Sequence, residues 1–96
     1  VNAPDAEARV TVRNKQGLHA RPSSVLAQKA LSFPDTTITL RRGSPDLEVD
    51  AKSIMELILL EARHGTELVI SARGPEAAAA VEALKALFER QFDLTY

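Results

Sequence analysis

The sequence predicts a two-layer α+β domain whose elements run strand, helix, strand, strand, helix, strand, helix. Three observations carry that reading. Short runs of alternating apolar and polar residues recur along the chain, each about the length of a half-buried strand. Between them lie stretches with apolar residues at helical spacing, opened by proline, serine or acid and closed by glycine or proline. The middle two strand-like runs are joined by a turn-rich segment, which makes them an antiparallel hairpin. With 96 residues, 45% of them apolar and 26% charged, the chain is sized for one domain spanning 1–96 with a modest core.

In order, Val1 to Ala6 reads as a loosely attached end. Ala8, Val10 and Val12 then alternate with Glu7, Arg9, Thr11 and Arg13. From Arg21 to Leu31, Val25, Leu26, Ala30 and Leu31 form a helical stripe, with Ala27 at a close-packing position, and Phe33-Pro34-Asp35 ends the helix. Thr36 to Arg42 is a β-branched run with Ile38 and Leu40 on one face, and Leu47 to Asp50 a short strand with Leu47 and Val49 inward. The intervening Arg41-Arg42-Gly43-Ser44-Pro45-Asp46 reads as a surface turn longer than a tight hairpin loop. Its two arginines form a solvated hairpin end in preference to a docking patch.

Ser53, with Glu56 three residues on, has capping-box spacing. Ile54, Met55, Leu57, Ile58, Leu59 and Leu60 make the helix that follows apolar nearly all round. Such a helix buries both sides, or buries one and offers the other to a partner. Arg63-His64-Gly65 reads as its cationic C-terminus and glycine exit. Thr66 to Arg73 is the clearest strand, with Leu68, Ile70 and Ala72 on one face. After Gly74-Pro75-Glu76, the helix from Ala77 to Gln91 has the stripe Ala77, Ala80, Val81, Leu84, Leu87 and Phe88, and Phe92, Leu94 and Tyr96 are placed to pin the tail to the core.

Composition narrows the function. A net charge of -1 argues against broad nucleic-acid or anionic-membrane binding. With no cysteine, a disulfide scaffold, thiol chemistry and a cysteine zinc site are excluded, and the two histidines lie too far apart for metal-ligand spacing. No cofactor is called for. No apolar run approaches the roughly 20 residues of a membrane span, and the start lacks the order of a secretory signal, so the expected location is the cytoplasm.

The stretch with most chemistry runs from Asn14 to Ser24. Gly17 permits a tight turn, Pro22 suits the first turn of a helix, and the N–H groups opening that helix can face an anion. At the junction His19 offers an imidazole that can carry a group covalently, two residues from the Arg21 guanidinium. The residues alone leave a structural histidine open as an alternative. Ser53 likewise reads equally as a simple helix cap.

Gly17-Leu18-His19-Ala20-Arg21-Pro22, followed by Lys52-Ser53-Ile54-Met55, resembles the HPr family, the histidine-containing phosphocarriers of the bacterial sugar phosphotransferase system. The resemblance covers essentially the whole chain. It implies an open-faced β-sandwich: a four-stranded antiparallel sheet with three helices on one side. It further implies that His19 is phosphorylated on Nδ1 by enzyme I, ultimately from phosphoenolpyruvate, and passes the group to a histidine of an enzyme IIA-type domain. The chain would then be a carrier rather than an enzyme, and a monomer.

Gly17, Ala20, Arg21 and Pro22 match the surrounding active-site motif. Ser53 matches the serine phosphorylated from ATP by HPr kinase in some bacteria. Ile54, Met55 and Ile58 match the apolar patch that meets partners. Three features depart from the family pattern. Ser23 stands where alanine is usual, Glu56 and Glu61 stand where glycine is often found, and the turn from Arg42 to Asp46 looks a few residues longer. Similar carriers serve a nitrogen-related regulatory relay, so the resemblance leaves sugar transport and regulation both open. Two competing readings are a regulatory binding module working only through Ser53 and the apolar patch, which the presence of His19 counts against, and an enzyme with its own turnover, for which no acid-base partners can be assembled.

Overall fold

In a computed structural model that describes residues 3–43 and 46–94, four strands form one antiparallel sheet. The elements are β1 (Ala6–Thr11), α1 (Ala20–Leu31), β2 (Thr37–Gly43), β3 (Asp46–Asp50), α2 (Ile54–Leu59), β4 (Glu67–Arg73) and α3 (Ala77–Glu89), followed by a short 3-10 turn at Gln91–Asp93. Strand order is β1-β4-β2-β3, with β4 between β1 and β2. The predicted element order and sheet are those observed.

Alternation decides which face is covered. Val10, Ile38, Leu40, Val49, Leu68, Ile70 and Ala72 point to one side of the sheet. There they join Leu26, Ala27 and Ala30 of α1, Leu57 of α2 and the six stripe residues of α3 in one apolar cluster. All three helices therefore lie on that side, and the opposite face carries Arg9, Glu67, Ser71, Thr39 and Arg41. Phe92 is buried and meets Phe88 edge to face at 5.0 Å between ring centres, while Leu94 is partly buried, so these two residues pin the tail. Tyr96 lies outside the described residues.

Several expectations are corrected. Of the end expected to be loose, Val1 and Asn2 lie outside the described residues, but Asp5 is tied down: its N–H donates to Ala72 O at 2.9 Å, and its carboxylate accepts from Gly74 N–H at 2.8 Å. Leu31 ends α1 at 57% exposure, because Phe33 beyond the Ser32 cap takes the place against the core. Ser44 and Pro45 of the expected turn lie outside the described residues, but strand pairing reaches both of their neighbours. Arg42 pairs with Leu47 and Gly43 with Asp46, so the extra length lies in the strands. Ladder hydrogen bonds join backbone to backbone, and a polar side-chain sequence does not interrupt them. Leu47, at the outer end of an edge strand, is 39% exposed instead of inward.

The second helix ends earlier than predicted, at Leu59 with Leu60 as cap. Arg63 and His64 therefore lie beyond it, and its terminal carbonyls take a different cation: Arg42 Nη1 donates to Leu60 O at 2.5 Å and to Glu61 O at 3.0 Å. The expected solvated arginine pair thus divides. Arg41 is exposed, with only a 3.9 Å approach to Asp46, whereas the partly buried Arg42 ties β2 to α2.

Candidate functional site

The junction between β1 and α1 is built from the backbone upward. Asn14 is wholly buried; its Nδ2 donates to Gly17 O at 2.6 Å and its carbonyl accepts from Gly17 N–H at 3.1 Å. The segment from Asn14 to Gly17 is thereby closed into a tight turn. Gly17 has φ +72, and a Cβ there would stand 2.5 Å from the Ala62 carbonyl oxygen and 3.0 Å from Arg63 Cα. Only glycine satisfies both the left-handed backbone and the close approach. Leu18 follows with its side chain buried and its N–H donating to Ala62 O at 2.8 Å. The chain enters α1 seated against the segment that leaves α2.

His19 is the N-cap of α1, with extended backbone at φ -91 and ψ -164. Its carbonyl accepts from Ser23 N–H at 3.1 Å, and its ring does not cap the helix. The residue is half-buried at the surface. Within the helix the N–H groups of Ala20 and Arg21 have no acceptor, and Pro22, buried next in line, has no N–H to satisfy. The twelve-residue helix concentrates partial positive charge at this end. Arg21 is exposed and its side chain makes no hydrogen bond or ion pair with another described residue, so its guanidinium is available to an incoming anion. Ser23, the departure from alanine, is fully buried with its hydroxyl 3.5 Å from Leu18 O. The added oxygen thus stands beside an acceptor.

His19, Ala20, Arg21, Pro22 and Gly17 are therefore brought together at one helix start. Clefts lined by Arg9, Thr11 and Phe88 and by Arg9, Arg41 and Val69 lie away from it. Among the described residues no cluster of His, Cys, Asp and Glu could hold a metal. No helix there is long and apolar enough to cross a membrane. What the site offers is a half-buried imidazole at an anion-compatible helix start with a cation at hand.

Ser53 caps α2 by accepting from Glu56 N–H at 3.2 Å. The reciprocal arm of the predicted box is displaced: Glu56 Oε1 accepts from Asp50 N–H at 3.0 Å, so this carboxylate turns back on the backbone. The helix buries Leu57 and presents Ile54, Met55, Ile58 and Leu59 at 41, 71, 37 and 65% exposure. Leu59 was absent from the expected patch, although its position four residues after Met55 signals the same face. Of the two readings left open for this helix, the structure takes the one-sided one. Lys52 Nζ donates to Phe33 O at 2.8 Å just beyond α1, whereas Leu18 meets Ala62 just beyond α2. The two helices are thus antiparallel neighbours, and Ser53 stands about 10 Å along α2 from the end nearest His19.

Glu61 has φ +51 immediately after the α2 cap. That is the left-handed position at which glycine ends many helices.

The chain is thus a four-stranded open-faced domain with a histidine at a helix N-cap and an exposed arginine two residues on. The chain matches the family described as PTS HPr component phosphorylation site over residues 6–90. It is 40% identical over 87 residues to a phosphocarrier protein HPr of Xylella fastidiosa, covering 91% of this chain and 94% of that one. It is 35% identical over 85 residues to a phosphocarrier protein NPr of Proteus mirabilis, covering 88% and 92%. An HPr crystal structure from Thermoanaerobacter tengcongensis superposes with a TM-score of 0.86 at 33% identity, covering 95% of this chain and 99% of that one. The chain belongs to the HPr/NPr phosphocarrier family of the phosphotransferase system.

Proposed function

We propose that His19 carries a phosphoryl group between two other proteins. Enzyme I, charged from phosphoenolpyruvate, donates it; the phosphorus–nitrogen bond on the donor breaks as one forms to Nδ1 of His19. Attack requires that nitrogen to be unprotonated. An enzyme IIA-type domain then removes the group by the reverse chemistry. The observation that supports this most is the N-cap position of His19, ahead of two N–H groups without intrahelical acceptors and next to an unengaged Arg21. Together they offset the charge of the phosphoryl group. Their moderate strength suits a carrier, because over-stabilising the phosphorylated form would slow the onward step. His19 lies at the surface, half-buried, where donor and acceptor can complete the catalytic groups; in this reading the chain is a monomeric cytoplasmic substrate of both and not an enzyme.

Ile54, Met55, Ile58 and Leu59 are proposed as the surface that docks both partners, being an apolar face at the neighbouring helix. Ser53, at the start of that helix, is the proposed site of an ATP-dependent HPr kinase. A phosphoryl group there adds about -1.5 to -2 charge beside the apolar face, which favours the helix start but opposes docking.

Reconstitution tests the relay. With phosphoenolpyruvate, enzyme I and an enzyme IIA-type domain, label reaches the IIA domain only when the chain is added. Transfer of equal rate without it would overturn the proposal. Running sugar-branch and nitrogen-branch acceptors in parallel assigns the branch.

A further inference from the structure

The segment leaving α2 touches both the docking helix and the His19 junction, and one side chain from the far strand holds it. Arg42 Nη1 donates to the carbonyls of Leu60 and Glu61, the cap and first residue past the helix. Glu61 carries the left-handed backbone there, and the next carbonyl, Ala62 O, accepts the Leu18 N–H at 2.8 Å. Ala62 O is also the atom against which Gly17 is seated, with no space for a Cβ. From Arg42 to His19 the links are thus two carbonyls, one forced turn, one backbone hydrogen bond and one peptide unit.

We propose that Arg42 is a positioning residue for phosphoryl transfer, fixing the α2 exit so that docking on α2 leaves His19 correctly presented. The proposal rests on the phosphocarrier reading of His19 and adds a residue to it. A cation holding two terminal carbonyls opposes the tendency of a short helix end to fray and of Glu61 to leave the left-handed region. If that exit relaxes, the acceptor for Leu18 N–H moves, and the N-cap residue after it loses its fixed entry. The patch itself would survive, since Ser53 caps the other end of α2 and Leu57 anchors it in the core. Loss of Arg42 should therefore impair transfer more than docking.

Arg42→Met keeps the apolar stem and removes the donors; Arg42→Lys keeps a charge and a donor but not the planar fork. Amide hydrogen exchange in the full chain reads the joint directly. In Arg42→Met, Leu18 N–H should exchange about tenfold faster than in wild type while Ile70 N–H in the central strand changes less than about twofold, with Arg42→Lys intermediate. Phosphorylation by phospho-enzyme I should then show kcat lowered about fivefold or more with KM within about twofold, partly restored by lysine.

Unchanged Leu18 exchange in a folded Arg42→Met would overturn the proposal. So would a rise in KM alone, or lysine behaving as methionine in both assays. Should Arg42→Met fail to fold, the lysine variant decides: selective Leu18 exchange with lowered kcat supports the coupling, and wild-type values refute it. The exchange arm needs no phosphoryl donor. If wild-type His19 accepted no phosphoryl group, that would defeat the carrier reading, while Leu18 exchange would still judge the joint.

Discussion

Gly17→Ala isolates the backbone requirement at the His19 junction without touching a chemical group. At φ +72 an alanine pays about 1–2 kcal/mol for the left-handed backbone. Its Cβ would also lie 2.5 Å from Ala62 O and 3.0 Å from Arg63 Cα. Both are backbone atoms, so the relief is a shift of the α2 exit and not a side-chain rotation, at about 1–3 kcal/mol. Stiffening of the unfolded chain offsets about 0.4–1 kcal/mol. The net expectation is a loss of about 1–4.5 kcal/mol, a large share of the roughly 5–15 kcal/mol typical of a small domain. Urea unfolding followed by far-ultraviolet circular dichroism measures it. Gly43→Ala is the control: a Cβ there meets nothing within 4 Å, so its stability should equal that of wild type or exceed it by up to about 1 kcal/mol. Equal unfolding midpoints for the two variants would refute the reasoning.

Three further expectations concern α2. Glu61→Gly removes a left-handed side-chain residue at the helix exit and should raise stability by about 0.5–1 kcal/mol, seen as a higher Tm in a thermal melt; a lower Tm would contradict the assignment of strain to that position. Ser53→Ala deletes the acceptor for Glu56 N–H and should cost about 1 kcal/mol by urea titration, whereas Ser53→Asp should retain most of that stability while weakening docking of enzyme I in a titration calorimeter. Met55→Ala, at 71% exposure, should leave stability within about 0.5 kcal/mol but lower the affinity for enzyme I about tenfold; undiminished affinity would remove Met55 from the docking surface.

The fold was legible where side-chain periodicity is a sufficient signal. All six residues of the α3 stripe are buried, because a long alanine-rich helix with one apolar face has few other solutions, and Leu68, Ile70 and Ala72 are buried as a period of two requires. The hairpin misled because strand pairing is made by backbone groups, which Arg41-Arg42-Gly43 conceals behind a polar surface. Leu31 and Leu47 are apolar yet exposed; both stand at the ends of their elements, where periodicity cannot tell how far the covering layer extends. At the site, His19, Arg21, Pro22 and Gly17 form a single contiguous motif, so one short stretch revealed them together. Two contributors stayed hidden. Asn14 has turn-forming chemistry but gives no sign of being wholly buried, and Arg42 reaches Leu60 across a chain separation that no local pattern spans. Glu61 departs from the glycine that the resemblance implies, but only its backbone angle explains why glycine suits that place.

The central claim is that one histidine holds the phosphoryl group. Intact-mass measurement after incubation with phosphoenolpyruvate and active enzyme I tests it most directly, on the wild type and on His19→Ala. The wild type should gain the mass of one phosphoryl group, lost again on brief acid treatment, and the alanine variant should gain none. An unmodified wild type, or an alanine variant phosphorylated to the same extent, would contradict the account.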